Sequence, residues 1–184
     1  MQYDKISFIV EAVPNDYYGK EEGFKYLTPH HRDLKVTVVL NDVRVGWGGH
    51  VDVYSLALNN LDHRPFWDGR YQEGWSVFEP FSCSCGVAAC AGIWDGIYVK
   101  ERGHSVEWRA NPKDGHDFLP KSFFNFEKKQ YKWAFNYLLS EIEHLSNDFD
   151  FTLVVDPGYR EGRLVTGMDC LKWIKEQERR KQGK

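Results

Sequence analysis

The sequence lacks the features that define several large classes of protein. No run of apolar residues approaches the roughly 20 that a membrane-spanning helix needs. The opening stretch MQYDKISFIVEAV carries an early acidic residue and no small-residue cleavage motif of a secretory signal peptide. These absences predict a cytoplasmic protein with no membrane partner, whose four cysteines stay reduced instead of forming structural disulfides.

The signatures of common catalytic sites are also missing. The sequence contains neither of the phosphate-binding loops GxxxxGK and GxGxxG, nor HExxH, GxSxG or CxxC. None of the seven histidines stands at a spacing that marks it as a catalytic base. We therefore assign no catalytic residue and lean towards a protein that is not an enzyme.

The stretch GWGGHVD, residues 46–52, leaves an enzymatic alternative open. It places His50 and Asp52 beside three glycines, just before a segment with helical periodicity. A flexible connection into that helix is the interpretation we favour, because the residues that a phosphate loop needs are absent. The alternative is a small hydrolase or nuclease built on His50 and Asp52.

Charge of either sign is modest in total but uneven along the chain. The net charge is −3, while six basic and two acidic residues after position 171 give the tail +4 and leave −7 on the rest. An acidic body argues against nucleic-acid binding, which needs clustered lysine and arginine. It would suit a basic protein partner, although a small negative charge also simply favours solubility.

The hydrophobic pattern predicts an α+β fold. Alternation in LKVTVVL places Leu34, Val36, Val38 and Leu40 on one face of a strand, and Asn41-Asp42 provides a tight turn into VRVGW. Residues 14–33 read as a long loop. Further strands are predicted at residues 5–13, 75–80, 96–100, 105–109 and 151–155, with a hairpin turn at ERGH (101–104).

Helical spacing predicts the remaining elements. The main helix covers about residues 127–145, with an apolar stripe, and a capping-box pattern at Thr166 and Asp169 predicts a last helix. A short helix is predicted from Asp52 to Leu61. We therefore expect one α+β domain over residues 1–184, a mainly antiparallel sheet with two or three helices packed on it, and a basic, solvated tail at 172–184. The stripe comprises Tyr131, Ala134, Phe135, Leu138, Ile142 and Leu145.

Three of the four cysteines fall close together in FSCSCGVAACAGIWDGIYV, residues 81–99. Cys83, Cys85 and Cys90 can ligate zinc as thiolates, and Cys170 or His104 would complete a tetrahedron. Structural zinc sites usually pair two regular knuckles, whereas this spacing is single and irregular. We favour a tight structural turn that glycines make possible and that reduced thiols line, with a zinc-stabilised domain as the alternative.

Aromatic residues make up 16% of the chain, which is a high share. Such side chains fill cores, and they also anchor protein interfaces. Trp47, Trp67, Tyr71 and Trp75 lie in or beside glycine-rich loops and are our candidate partner-binding residues. Packing inside the core or the loops is the alternative role for all four.

A segment over residues 81–139 resembles a group of uncharacterised bacterial proteins. The pattern is C-x-C-G-x-x-x-x-C, then V-x-W at Val106 and Trp108, then F-x-F at Phe124 and Phe126 leading to Tyr131. Between the second and third cysteines this chain has Val-Ala-Ala in place of the bulkier or polar residues typical of the group. The resemblance implies no established activity.

The whole chain is also similar in type to immunity proteins that neutralise bacterial toxins. Such proteins tend to be small, acidic, cytosolic α+β proteins without a catalytic motif. The similarity implies a protein partner, and we expect a non-enzymatic protein of the immunity or antitoxin type that covers a toxin's active surface.

Overall fold

The computed structural model describes residues 2–14, 31–45, 50–51, 64–65, 74–78, 81–82, 96–114, 116–154 and 164–166, together with residues 176 and 179. Within these ranges the chain forms twelve strands and one long helix, α1, so the predicted α+β class is confirmed. The elements are β1 (Ile6–Pro14), β2 (His31–Leu40), β3 (Val43–Arg44), β4 (His50–Val51), β5 (Arg64–Pro65), β6 (Ser76–Phe78), β7 (Phe81–Ser82), β8 (Ile97–Arg102), β9 (Ser105–Arg109), β10 (Phe123–Glu127), α1 (Lys128–Asp148), β11 (Asp150–Val154) and β12 (Leu164–Thr166).

The first sheet is built around a β1–β2 hairpin. Its strands run in the order β1–β2–β11–β12, and β3 also pairs with β2. All of these pairs are antiparallel except β2–β11, which is parallel. The predicted face of β2 is confirmed, since Val36, Val38 and Leu40 are buried and Leu34 is half-buried. This strand starts at residue 31, inside the predicted loop, because it continues its pairing with β1 as far as Arg32 opposite Pro14.

The predicted turn at Asn41-Asp42 is confirmed. Both residues have positive φ, 52° and 64°, as a two-residue turn of type I′ requires. Asparagine and aspartate adopt this left-handed conformation more readily than other residues that carry a Cβ. The turn therefore returns the chain into β3, where Val43 pairs with Leu40.

The second sheet runs in the order β10–β9–β8–β6–β5 and is antiparallel throughout. Its β8–β9 hairpin confirms the predicted turn, where Gly103 has a φ of +52°. The predicted alternation is also confirmed, since Val106 and Trp108 are buried while Glu107 and Arg109 are only half-buried. A separate pair, β4 with β7, sets His50 opposite Ser82.

Helix α1 lies on the inner faces of β1, β9 and β10. The predicted stripe faces this core: five of its six residues are buried, and Leu145 is half-buried. Trp108 Nε1 donates a buried hydrogen bond to Tyr131 Oη, with 3.1 Å between the two atoms. Phe8 from the first sheet packs edge-on against Phe135, with 5.0 Å between ring centroids. One aromatic core therefore contacts both sheets and the helix.

Asp4 joins the two sheets just before β1 begins. Its backbone N–H donates to Asn125 O in β10, and the Asp4 carboxylate accepts from Asn125 N at 2.7 Å. The same carboxylate accepts from Asn41 Nδ2 at 2.8 Å and pairs with Lys121 Nζ. Burial alone would raise the pKa of Asp4, but these hydrogen bonds and the charge of Lys121 lower it below its ordinary value.

Several expectations fall wholly or partly outside the described residues. These include the short helix from Asp52 to Leu61 and most of the last helix and tail, of which Glu176 and Arg179 are described as helical and exposed. Thr166 ends β12, a strand that the sequence analysis did not predict. Among the helices that the described ranges contain, none is long and apolar enough to cross a bilayer.

Candidate functional site

Trp75 is the candidate partner-binding residue that falls within the described ranges. Trp47, Trp67 and Tyr71 lie outside them, as do Asp52 and the cysteines proposed as zinc ligands, Cys83, Cys85, Cys90 and Cys170. His50 is described in its backbone only, and it pairs with Ser82, the residue that precedes Cys83 in the sequence. His104, the other candidate ligand, is exposed in the β8–β9 turn, where its carbonyl accepts a hydrogen bond from Lys128 N.

Trp75 lies on the outer face of the second sheet, opposite the helix. Its neighbour Ser76 pairs with Val99, so alternation places Trp75 on the same side as Lys100. The indole is 4% exposed and lies beneath two cations. The Arg109 guanidinium is 4.5 Å from the indole centroid, and Lys100 Nζ is 5.7 Å from it. Both distances are within the range of cation–π attraction.

Gly74 allows this arrangement. Its φ of +93° is a backbone conformation that other residues rarely adopt, and it turns the chain into β6. A Cβ at this position would stand 3.4 Å from Lys100 Nζ. The small residue before Trp75 therefore leaves room for the ammonium group beside the indole.

Arg109 makes a cation–π contact with a second aromatic side chain. Its guanidinium carbon is also 5.6 Å from the ring centroid of Phe123, the residue paired with it in β10. Phe123 is 42% exposed, so this end of the sheet shows an aromatic ring and a cation to solvent together. We call Trp75, Lys100, Arg109 and Phe123 the aromatic–cationic face.

The carboxylate closest to Arg109 along β9 is already engaged. Glu107 Oε1 lies 3.2 Å from Arg102 Nε, an ion pair at the turn end of the hairpin. Outward positions of β8 and β9 thus carry Lys100, Arg102 and Arg109 against the single carboxylate of Glu107.

A second exposed aromatic feature lies on the solvent side of α1. Trp133 is 63% exposed and Tyr137 is 38% exposed. Their rings stack with 5.9 Å between centroids and 17° between planes. Residues i and i+4 adjoin on a helix surface, so the pair forms one continuous aromatic patch, the helix pair.

The helix pair lies roughly opposite the buried stripe. Asn136, Ser140 and His144 are polar residues exposed on the same side of α1 as the two rings. An exposed apolar patch with a polar rim is typical of a surface that binds another protein. The sequence analysis missed this patch, although two aromatics at i and i+4 that fall outside the core stripe are visible in the sequence.

The described residues contain no group of three histidine, cysteine, aspartate or glutamate side chains placed to hold a metal ion. Of the described histidines, His116 is buried, with its Nδ1 at 3.3 Å from Asn111 O, and it lies beside the Phe118 ring. His144 is exposed on α1. The candidate sites among the described residues are therefore two aromatic surfaces: the helix pair on α1 and the aromatic–cationic face on the other side of the second sheet.

Comparison of this chain with protein-family models, with curated proteins and with solved structures finds no match.

Proposed function

We propose that this chain is a cytoplasmic, non-enzymatic protein that binds a protein partner, of the type that neutralises a toxin by covering its active surface. The observation that carries the proposal is the helix pair, Trp133 and Tyr137, stacked and exposed on the regular helix α1. Tryptophan and tyrosine are among the residue types enriched in the side chains that dominate interface energies.

The helix supports this role because it holds the two rings in place before binding. The opposite side of α1 is fixed in the core, where Tyr131, Ala134, Phe135, Leu138 and Ile142 are buried. Stacking further restricts both side chains, so Trp133 and Tyr137 lose less side-chain entropy on binding than mobile aromatic residues would. Burying two such rings gives an interface a large apolar contribution.

Affinity capture from a lysate of the source organism tests the proposal. We expect the wild-type chain to retain a specific protein, and the double variant W133A/Y137A to lose it. Truncating one central aromatic anchor costs about 2 kcal/mol or more, roughly a thirtyfold loss of affinity. The captured protein should inhibit growth when it is expressed alone.

Tyr3→Ala is the matched control, because Tyr3 is an aromatic side chain of similar exposure, 41%, that lies outside the helix pair. This variant should capture the partner as well as wild type does. Circular dichroism should show an unchanged helix content in W133A/Y137A, since alanine is the best helix former and both rings face solvent. Equal capture by wild type and W133A/Y137A would refute the proposal.

A further inference from the structure

The aromatic–cationic face contains one arginine, Arg109, that two aromatic rings contact. Within the described part of the chain, the Arg109 guanidinium makes cation–π contacts with Trp75 and Phe123 and forms no hydrogen bond or ion pair. A guanidinium has five N–H donors in one plane, and a cation–π contact with a ring does not replace the hydrogen bonds that these donors can give to an acceptor.

We propose that this face binds a carboxylate side chain of an acidic segment in a protein partner, with Arg109 as the residue that contacts it. The inference rests on the proposed function in taking the occupant to be a protein, and it adds the chemistry of that occupant. It concerns the opposite side of the second sheet from α1, so its outcome can differ from that of the helix pair.

Geometry favours a carboxylate because it is planar and matches the guanidinium edge with two parallel hydrogen bonds. The two rings flanking Arg109 restrict its rotation, so less side-chain entropy is lost when it binds.

Charge complementarity points to an acidic partner segment. Glu107 is the one carboxylate at the outward positions of β8 and β9, and Arg102 already engages it, so the charge of Arg109 remains for an acidic partner. The exposed Phe123 ring next to Arg109 can cover the hydrocarbon stem of a glutamate or a neighbouring apolar side chain. A nucleic acid is the less favourable occupant, because three cations on a chain of net charge −3 neutralise few phosphates.

The test is selection of a random dodecapeptide phage library on the immobilised full chain. We expect the selected peptides to be enriched in aspartate and glutamate. Their affinity for R109Q should be at least about tenfold lower than for wild type, as for a lost arginine anchor. R44Q is the matched control, because Arg44 is an exposed arginine on β3, and it should bind the peptides like wild type. R109K should bind them more weakly than wild type, since an ammonium keeps the charge but not the planar fork.

Several results would overturn the inference. These are selected peptides without acidic enrichment, equal binding of the peptides by R109Q and wild type, or no selection above the bare surface. Binding of a fluorescein-labelled single-stranded DNA that R109Q abolishes would also overturn it, in favour of a nucleic-acid ligand.

If R109Q still captures the lysate partner that W133A/Y137A loses, and the peptides fail, the proposed function stands and the carboxylate site does not. If acidic peptides depend on Arg109 while no lysate partner is captured, the site stands and the proposed function does not.

Discussion

Replacing Asp4 should test how the two sheets are joined. Its carboxylate accepts hydrogen bonds from Asn41 Nδ2, Asn125 N and Lys121 Nζ, which come from three separate parts of the chain. In D4N, one oxygen becomes an NH₂ group, so at least one of these donors must face another donor. The substitution keeps the size of the side chain and removes its charge and one acceptor.

The expected cost follows from these contacts. A hydrogen bond to a charged group contributes about 1.5–3 kcal/mol, whereas an ion pair with an exposed partner contributes about 0–1 kcal/mol. The Lys121 side chain is 44% exposed and is hydrated again when the pair is lost, so the pair adds little to the cost. We therefore expect D4N to reduce the free energy of unfolding by about 2–3 kcal/mol at neutral pH, measured by urea denaturation.

The same contacts give this effect a defined pH dependence. Because the pKa of Asp4 is lowered in the folded chain, the unfolded chain binds the proton more tightly, and stability rises with pH. The contribution should be fully present above the unfolded pKa of about 3.9 and be lost as pH falls through the lower folded value. The difference between wild type and D4N should therefore shrink as the pH falls below about 4.

Asp117→Asn provides the control, since Asp117 is exposed, and its unfolding free energy should change by less than about 0.5 kcal/mol. If D4N costs no more than this control, or if its cost is the same at neutral and acidic pH, Asp4 does not join the sheets through its charge.

Three further predictions concern the core, a turn and the cysteine segment. Y131F removes the acceptor of the buried Trp108 N–H and should lower the free energy of unfolding, measured by urea denaturation, by about 1–3 kcal/mol. An unchanged midpoint would contradict the hydrogen bond. G103A should lower the free energy of unfolding by about 1 kcal/mol, because alanine is strained at a φ of +52°. A Cβ there would meet no atom within 4 Å, so no clash adds to this cost, and a stabilising effect would show that the turn has another conformation. Elemental analysis of the untagged protein should find less than about a tenth of an equivalent of zinc, whereas a near-stoichiometric amount would establish the zinc alternative.

The sequence predicts those elements whose structure depends on local periodicity. Alternation correctly placed Val36, Val38 and Leu40 on the buried face of β2, and helical spacing correctly placed Tyr131 and Leu138 in the core. The Asn41-Asp42 turn was predictable as well, because few residues with a Cβ adopt positive φ readily. In each case neighbours within a few positions determine the conformation.

Contacts between residues far apart in the chain could not be predicted in this way. The parallel pairing of β11 with β2 sets Asp150 opposite His31, and Asp4 meets Asn125 across more than a hundred residues. Nothing in a short window indicates such contacts, because they depend on how complete strands pack. The sequence analysis left Trp75 as either an interface anchor or a packing residue, and its contact with Arg109 of another strand is also non-local.

The candidate surfaces show a similar division. The helix pair was readable in principle, because Trp133 and Tyr137 are four residues apart and outside the apolar stripe. The aromatic–cationic face was not, since Trp75, Arg109 and Phe123 come from three segments that only strand pairing brings together.

Growth rescue by co-expression tests the central claim most directly. The protein captured by the wild-type chain would be expressed from an inducible promoter, alone or together with wild type, W133A/Y137A or the control Y3A. The account predicts that the captured protein arrests growth, that wild type and Y3A restore it, and that W133A/Y137A does not, although this variant accumulates to the same level. A captured protein that leaves growth unaffected, or equal rescue by W133A/Y137A, would contradict the account.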